Sequence, residues 1–181
     1  MAGHSDATLA MPSFDRPVKI ALVIAPYYTR IAEQQLASAR AVLERAGATH
    51  ETIEVPGSLE VPTAIAIAHR QGDFDGYVAL GCVIRGRTSH YDVVVNESAR
   101  AIATLGLGGA CIGNGIITVE NMDQAEERAD VDRLDTAGGA AEAALHLVAL
   151  QRRMGKKPSG VGFLPGSFRH DAAGKTGPDV A

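Results

Sequence analysis

Apolar residues fall into three short, nearly unbroken runs, separated by longer stretches in which they recur at helical spacing. Residues 18–25 (VKIALVIA) are almost all apolar and rich in β-branched side chains, the make-up of a strand buried on both faces. From 30 to 47, Ile31, Leu36, Ala39, Val42, Leu43 and Ala46 share one helical stripe, and Gly47 suits the left-handed stop just past a helix. Residues 49–55 predict a second strand, closed by Pro56-Gly57, and 59–71 a helix with Pro62 tolerated in its first turn. Residues 76–84, again almost all apolar, predict a third and buried strand, 91–107 a third helix, and 111–119 a fourth strand that contains Gly113 and Gly115. A short helix over 122–129 and a longer Ala-rich one over 137–154 follow.

Strict alternation of strands and helices predicts an α/β fold in three layers: a parallel sheet with helices on both faces, joined by right-handed crossovers. Four strands suit the doubly wound, flavodoxin-like order 2-1-3-4. That domain spans residues 18–155. Residues 1–17, small and polar with two prolines, read as a flexible N-terminal arm, and 156–181 as a Gly- and Pro-rich C-terminal tail. A length of 181 residues fits one such domain with its own core.

Composition narrows the function classes. With 17 Lys and Arg against 21 Asp and Glu, the chain lacks the basic balance of a nucleic-acid binder. Two cysteines, Cys82 and Cys111, lie inside apolar runs and cannot staple a domain of this size, which points to a reducing compartment and a cytoplasmic location. Neither a basic-then-apolar leader nor a run of about 18 apolar residues is present, so no signal peptide and no membrane span are expected. Four Phe, four Tyr and no Trp leave the core to aliphatic residues, so the place of each aromatic carries information.

Ligands of such sheets bind beyond the carboxyl ends of the strands, near the point where strand order reverses. Four segments qualify: 25–29, 56–60, 84–92 and 113–120. The first holds Tyr27-Tyr28, either a cap on the core edge or a stacking platform for a flat ligand. The second, Pro56-Gly57-Ser58-Leu59-Glu60, opens a helix whose first N–H groups lack partners; a turn with a Ser cap is the structural alternative. The third joins Arg85, Gly86, Arg87, Thr88, Ser89 and His90 ahead of another helix, which suits a phosphate-sized anion and a proton-transferring imidazole. Alternatively Thr88 or Ser89 caps that helix and His90 is a solvated first-turn residue. In the fourth, Asn121 and Gln124 have capping spacing, and Arg128 sits on an acidic helix where a surface ion pair is the default. The six histidines are scattered and no cysteine pair has ligand spacing, so no metal site is expected.

These segments together resemble the lumazine synthase family. The residues that carry the resemblance are Val55 to Pro62 (VPGSLEVP), Leu80 to Asp92 (LGCVIRGRTSHYD), Asn114 to Asn121 (NGIITVEN) and Gln124 to Ala129 (QAEERA). The resemblance covers about residues 18–155 and neither terminal segment. It implies the condensation of 5-amino-6-(D-ribitylamino)uracil with 3,4-dihydroxy-2-butanone 4-phosphate to 6,7-dimethyl-8-ribityllumazine, with release of phosphate and water and no cofactor. It implies His90 and Arg128 as catalytic residues, with His90 transferring protons. Substrate would be held by Tyr27, stacked on the pyrimidine, by Gly57, Ser58, Leu59 and Glu60 toward the ribityl chain, and by Cys82, Val83 and Ile84 along the uracil edge. Gly86, Arg87 and Thr88 would form the phosphate loop, with Asn114 and Arg128 entering from a neighbouring subunit. It further implies a homopentamer with sites at subunit interfaces, for some members a larger closed shell, and riboflavin synthase as a partner protein.

Three positions depart from the family's pattern. Arg87 stands where Glu, Gln or a small residue is more usual, and Tyr27-Tyr28 where Phe or Trp precedes Asn or His. The run 135–139 (DTAGG) lacks a customary Lys, which removes one expected ligand contact and leaves open a flavin- or lumazine-binding or shell-forming relative without turnover.

Overall fold

An apolar, β-branched strand has no polar face to give to solvent, and β1 (Lys19–Ala25) accordingly becomes an interior strand. The structure, a computed structural model, describes residues 9–155; the first eight residues of the expected arm and the expected tail lie outside the described residues. After β1 come α1 (Thr29–Arg45), β2 (Thr49–Glu54), α2 (Glu60–Gln71), β3 (Gly76–Ile84), α3 (His90–Leu107), β4 (Ile112–Val119), α4 (Met122–Ala129) and α5 (Thr136–Gly155). Every pairing is parallel and the order is β2-β1-β3-β4, the α/β arrangement that the alternation predicts. Bounds shift by one or two residues, and one shift matters: His90, expected just ahead of the third helix, is its first residue.

Alternate side chains divide the core between the two faces of the sheet. Ile20, Leu22 and Ile24, with Val78 and Leu80, pack under α1 and α5. Ala21, Val23 and Ala25, with Tyr77 and Ala79, pack under α2 and α3. A core of small aliphatics lets backbones approach closely. A methyl group on Gly113 of β4 would overlap the Ala140 carbonyl oxygen of α5 and stand 2.7 Å from its carbon. Gly47 takes φ +68° after α1, and the pair of bonds Gly47 N–H to Glu44 O (3.0 Å) and Ala48 N–H to Leu43 O (2.9 Å) ends that helix as the sequence suggests.

Below the sheet, at the amino ends of its strands, Arg152 of α5 ties the chain together. Its Nη1 donates to the Arg16 carbonyl (2.9 Å), and its Nη2 to the Pro17 carbonyl (2.7 Å) and Asp75 Oδ1 (2.8 Å). Asp75 Oδ2 in turn accepts from the Lys19 N–H at 2.9 Å. Phe14 packs against the cluster under α1 and α5, so residues 14–17 of the expected arm are fastened to the domain. No helix among the described residues is long and apolar enough to cross a membrane.

Candidate active site

Chain connections leave β1 and β3 in opposite directions, and the crevice beyond their carboxyl ends holds a cavity of about 600 Å³. It gathers side chains from three of the four segments singled out in the sequence: Tyr27 after β1; Gly57, Ser58, Leu59 and Glu60 ahead of α2; and Cys82, Val83, Ile84 and His90 at the end of β3 and the start of α3. Tyr28, Pro56 and Val94 complete the lining; of these, Val94 faces it through helical spacing, one turn after His90.

The two tyrosines divide the alternatives between them. Tyr28 is half-buried against the cluster of Ile31, Cys82 and Ala125 and caps the core edge, whereas Tyr27 is 75% exposed and meets Tyr28 edge-on with 5.0 Å between ring centroids. Desolvation, then proximity to Cys82, raises the Tyr28 phenol above its ordinary pKa. Burial pushes the Cys82 thiol up to about 11, so this wall presents a neutral thiol and a neutral phenol near pH 7. Ser58 is buried and does not cap α2. The N-cap position belongs to Leu59, without a side-chain cap bond, and the Ser58 hydroxyl lies over Gly81, where a Cβ would stand 2.9 Å from its Oγ. Glu60 opens α2 with its N–H donating to the Gly57 carbonyl (3.1 Å), and its Oε2 lies where a Gly57 side chain would begin, 2.8 Å away.

One residue beneath this floor escaped the sequence reading. Gln35 of α1 is fully buried, and its Nε2 donates to the carbonyls of Gly81 (3.1 Å) and Gly115 (2.8 Å), bridging β3 and β4. Its Oε1 is buried without a partner among the described residues. The signal was available, because Gln35 falls four residues after Ile31 on the buried stripe of α1.

Residues 85–89, between β3 and α3, are exposed and stand beside the cavity without lining it. The sequence suggested two guanidinium groups for an anion; the structure engages one of them. Arg85 bonds Glu120 and Asp92 and stacks on Tyr91, while Arg87 has no hydrogen bond or ion pair among the described residues. Gly86 is outside the left-handed region, and a Cβ there would meet nothing within 4 Å. Thr88 does not cap α3, and Ser89, at the N-cap position, makes no side-chain cap bond.

Asn114 and Arg128 do not reach the cavity of their own chain. Asn114 is the third residue of β4, opposite Ala79 and well short of the carboxyl end, with its Oδ1 accepting from the Ile116 N–H at 3.1 Å. Arg128, in the last turn of α4, donates to its own Gln124 carbonyl (3.2 Å) and lies 3.8 Å from Glu127. Asn121 caps α4 as its spacing suggested, accepting from the Gln124 N–H at 3.0 Å. The departing run 135–139 starts α5. Asp135, at φ 40°, accepts from the Gly138 N–H (3.1 Å) and from Ser38 of α1, so its carboxylate joins the two helices. No group of three or more His, Cys, Asp or Glu among the described residues is placed to hold a metal ion.

Comparisons with known proteins agree with this architecture. A family model described as 6,7-dimethyl-8-ribityllumazine synthase matches residues 17–152. A protein of that name from Jannaschia sp. is 73% identical over 91% of this chain and 93% of its own length. Proteins of the same name from Sphingopyxis alaskensis (52% identical, 75% of this chain, 96% of their length) and Methylorubrum populi (50%, 78% and 87%) are also similar. The match spans all five helices and the whole sheet, apart from the last three residues of α5. The chain belongs to the 6,7-dimethyl-8-ribityllumazine synthase family, transferases of riboflavin biosynthesis.

Proposed function

We propose that this chain condenses 5-amino-6-(D-ribitylamino)uracil with 3,4-dihydroxy-2-butanone 4-phosphate to 6,7-dimethyl-8-ribityllumazine, phosphate and water. The observation that carries the reading is the single cavity in which Tyr27, the 57–60 turn, the end of β3 and His90 converge. Its volume suits a ring system with a polyol chain, and its neutral, largely apolar wall at Cys82, Val83 and Tyr28 suits a flat heterocycle. Tyr27 projects from the rim as a stacking face for the pyrimidine. Ser58 and Glu60 offer oxygen atoms to the ribityl hydroxyls. Gly57 and Leu59 shape that turn, and Val83 and Ile84 present strand backbone to the uracil edge.

The chemistry runs in three steps. The uracil amine attacks the ketone and loses water to give an imine, phosphate leaves, and the second amine closes the ring with loss of another water. His90, at the cavity wall and next to the exposed loop, is suited to carry protons between amine, carbonyl oxygen and leaving group. Gly86, Arg87 and Thr88 would receive the phosphate at that loop, through backbone N–H groups, a guanidinium and a hydroxyl. Asn114 and Arg128 lie away from their own chain's cavity, and in the homopentamer that the family resemblance implies each site would take these two residues from a neighbour.

The test mixes both substrates with the purified chain and follows lumazine absorbance. Turnover is expected. His90→Ala should lower kcat by about 10²-fold, and Arg128→Ala should raise KM for the phosphorylated substrate alone. Absence of lumazine together with tight flavin binding would overturn the proposal in favour of a binding protein. A light-scattering mass other than a multiple of five chains would overturn the pentamer.

A further inference from the structure

The two arginines that flank Gly86 are in opposite situations. Arg85 leaves β3 with its backbone still in the ladder, its N–H donating to the Val119 carbonyl at 2.9 Å. Its guanidinium then turns across the start of the loop. Nε lies 2.9 Å from Glu120 Oε2, Nη1 lies 3.1 Å from Asp92 Oδ1, and Cζ sits 4.0 Å from the centre of the Tyr91 ring. Glu120 follows β4, whereas Tyr91 and Asp92 belong to the first turn of α3. One side chain therefore joins both ends of residues 86–89 to each other and to the neighbouring strand. Arg87, two residues on, holds no such partner among the described residues.

We infer that Arg85 is a positioning residue, a clasp that keeps residues 86–89 in the shape that receives a phosphate. The inference rests on the phosphate loop of the proposed function. A guanidinium placed between two carboxylates and over a ring already has its charge compensated, so a third anion would have to compete with both carboxylates. A short loop whose ends are pinned has less conformational freedom to lose when its N–H groups close on a ligand. The alternative, Arg85 as a direct phosphate ligand, answers removal of Asp92 in the opposite direction. Loss of that carboxylate would release the guanidinium toward phosphate, whereas a clasp would open.

The experiment compares Asp92→Asn, Arg85→Gln, Arg85→Lys and Arg85→Gln/Asp92→Asn in the full chain, after Tm shows each to be folded. It reads kcat, KM for each substrate, and Kd for inorganic phosphate by calorimetry. Asp92→Asn is expected to raise KM for the phosphorylated substrate and Kd for inorganic phosphate by about 3- to 10-fold, with KM for the uracil substrate within about twofold. Arg85→Lys should recover at most part of the loss, since an ammonium is a compact point charge on a flexible stem without the planar, pre-organised fork that spans Glu120 and Asp92. The double variant should be no worse than Arg85→Gln alone. Tighter or unchanged phosphate binding in Asp92→Asn, or full recovery in Arg85→Lys, overturns the clasp. Failure of the wild type to make lumazine would overturn the proposed reaction, and the inorganic phosphate titration would still decide the clasp.

Discussion

Replacing Gly86 by Ala adds one methyl group to the exposed loop between β3 and α3. In the folded chain that methyl meets no heavy atom within 4 Å, and the backbone is outside the left-handed region, so neither packing nor torsion resists it. The unfolded chain loses freedom, and the variant should gain about 0.4–1 kcal/mol of stability. For a domain of this length that raises Tm by about 1–4 °C. A phosphate on the loop meets the same methyl as an obstacle. If it forfeits one charge-assisted backbone hydrogen bond, about 1.5–3 kcal/mol is lost, which lowers kcat/KM for the phosphorylated substrate about 10- to 150-fold. Scanning fluorimetry and steady-state kinetics, with each substrate varied in turn, read the two effects separately. Wild-type kcat/KM in Gly86→Ala would refute the phosphate loop. A fall in Tm would refute the reading that nothing within the chain requires glycine there.

Gly113→Ala is the counterpart of opposite sign: its methyl overlaps the Ala140 carbonyl, so α5 must lift from β4, and we expect a loss of about 3 kcal/mol and a Tm lower by about 6–12 °C. Tyr27→Ala should leave stability within about 1 kcal/mol, because the ring is mostly exposed, yet weaken uracil-substrate binding by about 5- to 150-fold through lost stacking; chemical denaturation and KM check the two halves. Cys82 supplies a pH test. Its thiol is raised from 9.0 to about 11 in the folded chain, so the unfolded chain ionises first, and the contribution is whole below pH 9 and lost as pH rises through 11. Discounted for its place on an open cavity wall, wild type should lose about 1–2 kcal/mol more than Cys82→Ala between pH 9 and 11 in urea melts. Equal slopes would mean that the thiol is not desolvated.

Much of the fold is legible in the sequence because interior parallel strands leave short, β-branched apolar runs bounded by turn residues. The runs that contain β1 and β3 are apolar on both faces, and their shortness and β-branched content mark them as strands rather than buried helices. The alternation predicted a parallel sheet, and the flavodoxin-like order that suits four strands located the crevice before any side chain was placed. What the sequence withheld is the direction of individual side chains. It offered Tyr27 and Tyr28 as equals, and only the chain's exit angle from β1 sends one to the core edge and the other to the rim. It offered Ser58 as a cap and Arg85 as an anion ligand, yet Ser58 turns to Gly81 and Arg85 to two carboxylates, one of them 35 residues away. Contacts of that kind depend on the sheet bringing β3 beside β4, which local spacing does not encode. The proposed roles of Asn114 and Arg128 were never within reach of spacing, since they need a second chain.

The knot made by Arg152 also bears on how such a chain can vary. The chain enters the sheet at Lys19 and leaves α5 at Gly155 at the pole opposite the cavity, and Arg152 pins the two passages within one side chain's reach. Sequence added or removed beyond that knot starts at the amino-end pole of the sheet, a strand length from the cavity of the same chain. Within one chain, the described ends can therefore vary in length without passing their own cavity. The Sphingopyxis alaskensis relative fits this, since 75% of the present chain already accounts for 96% of it.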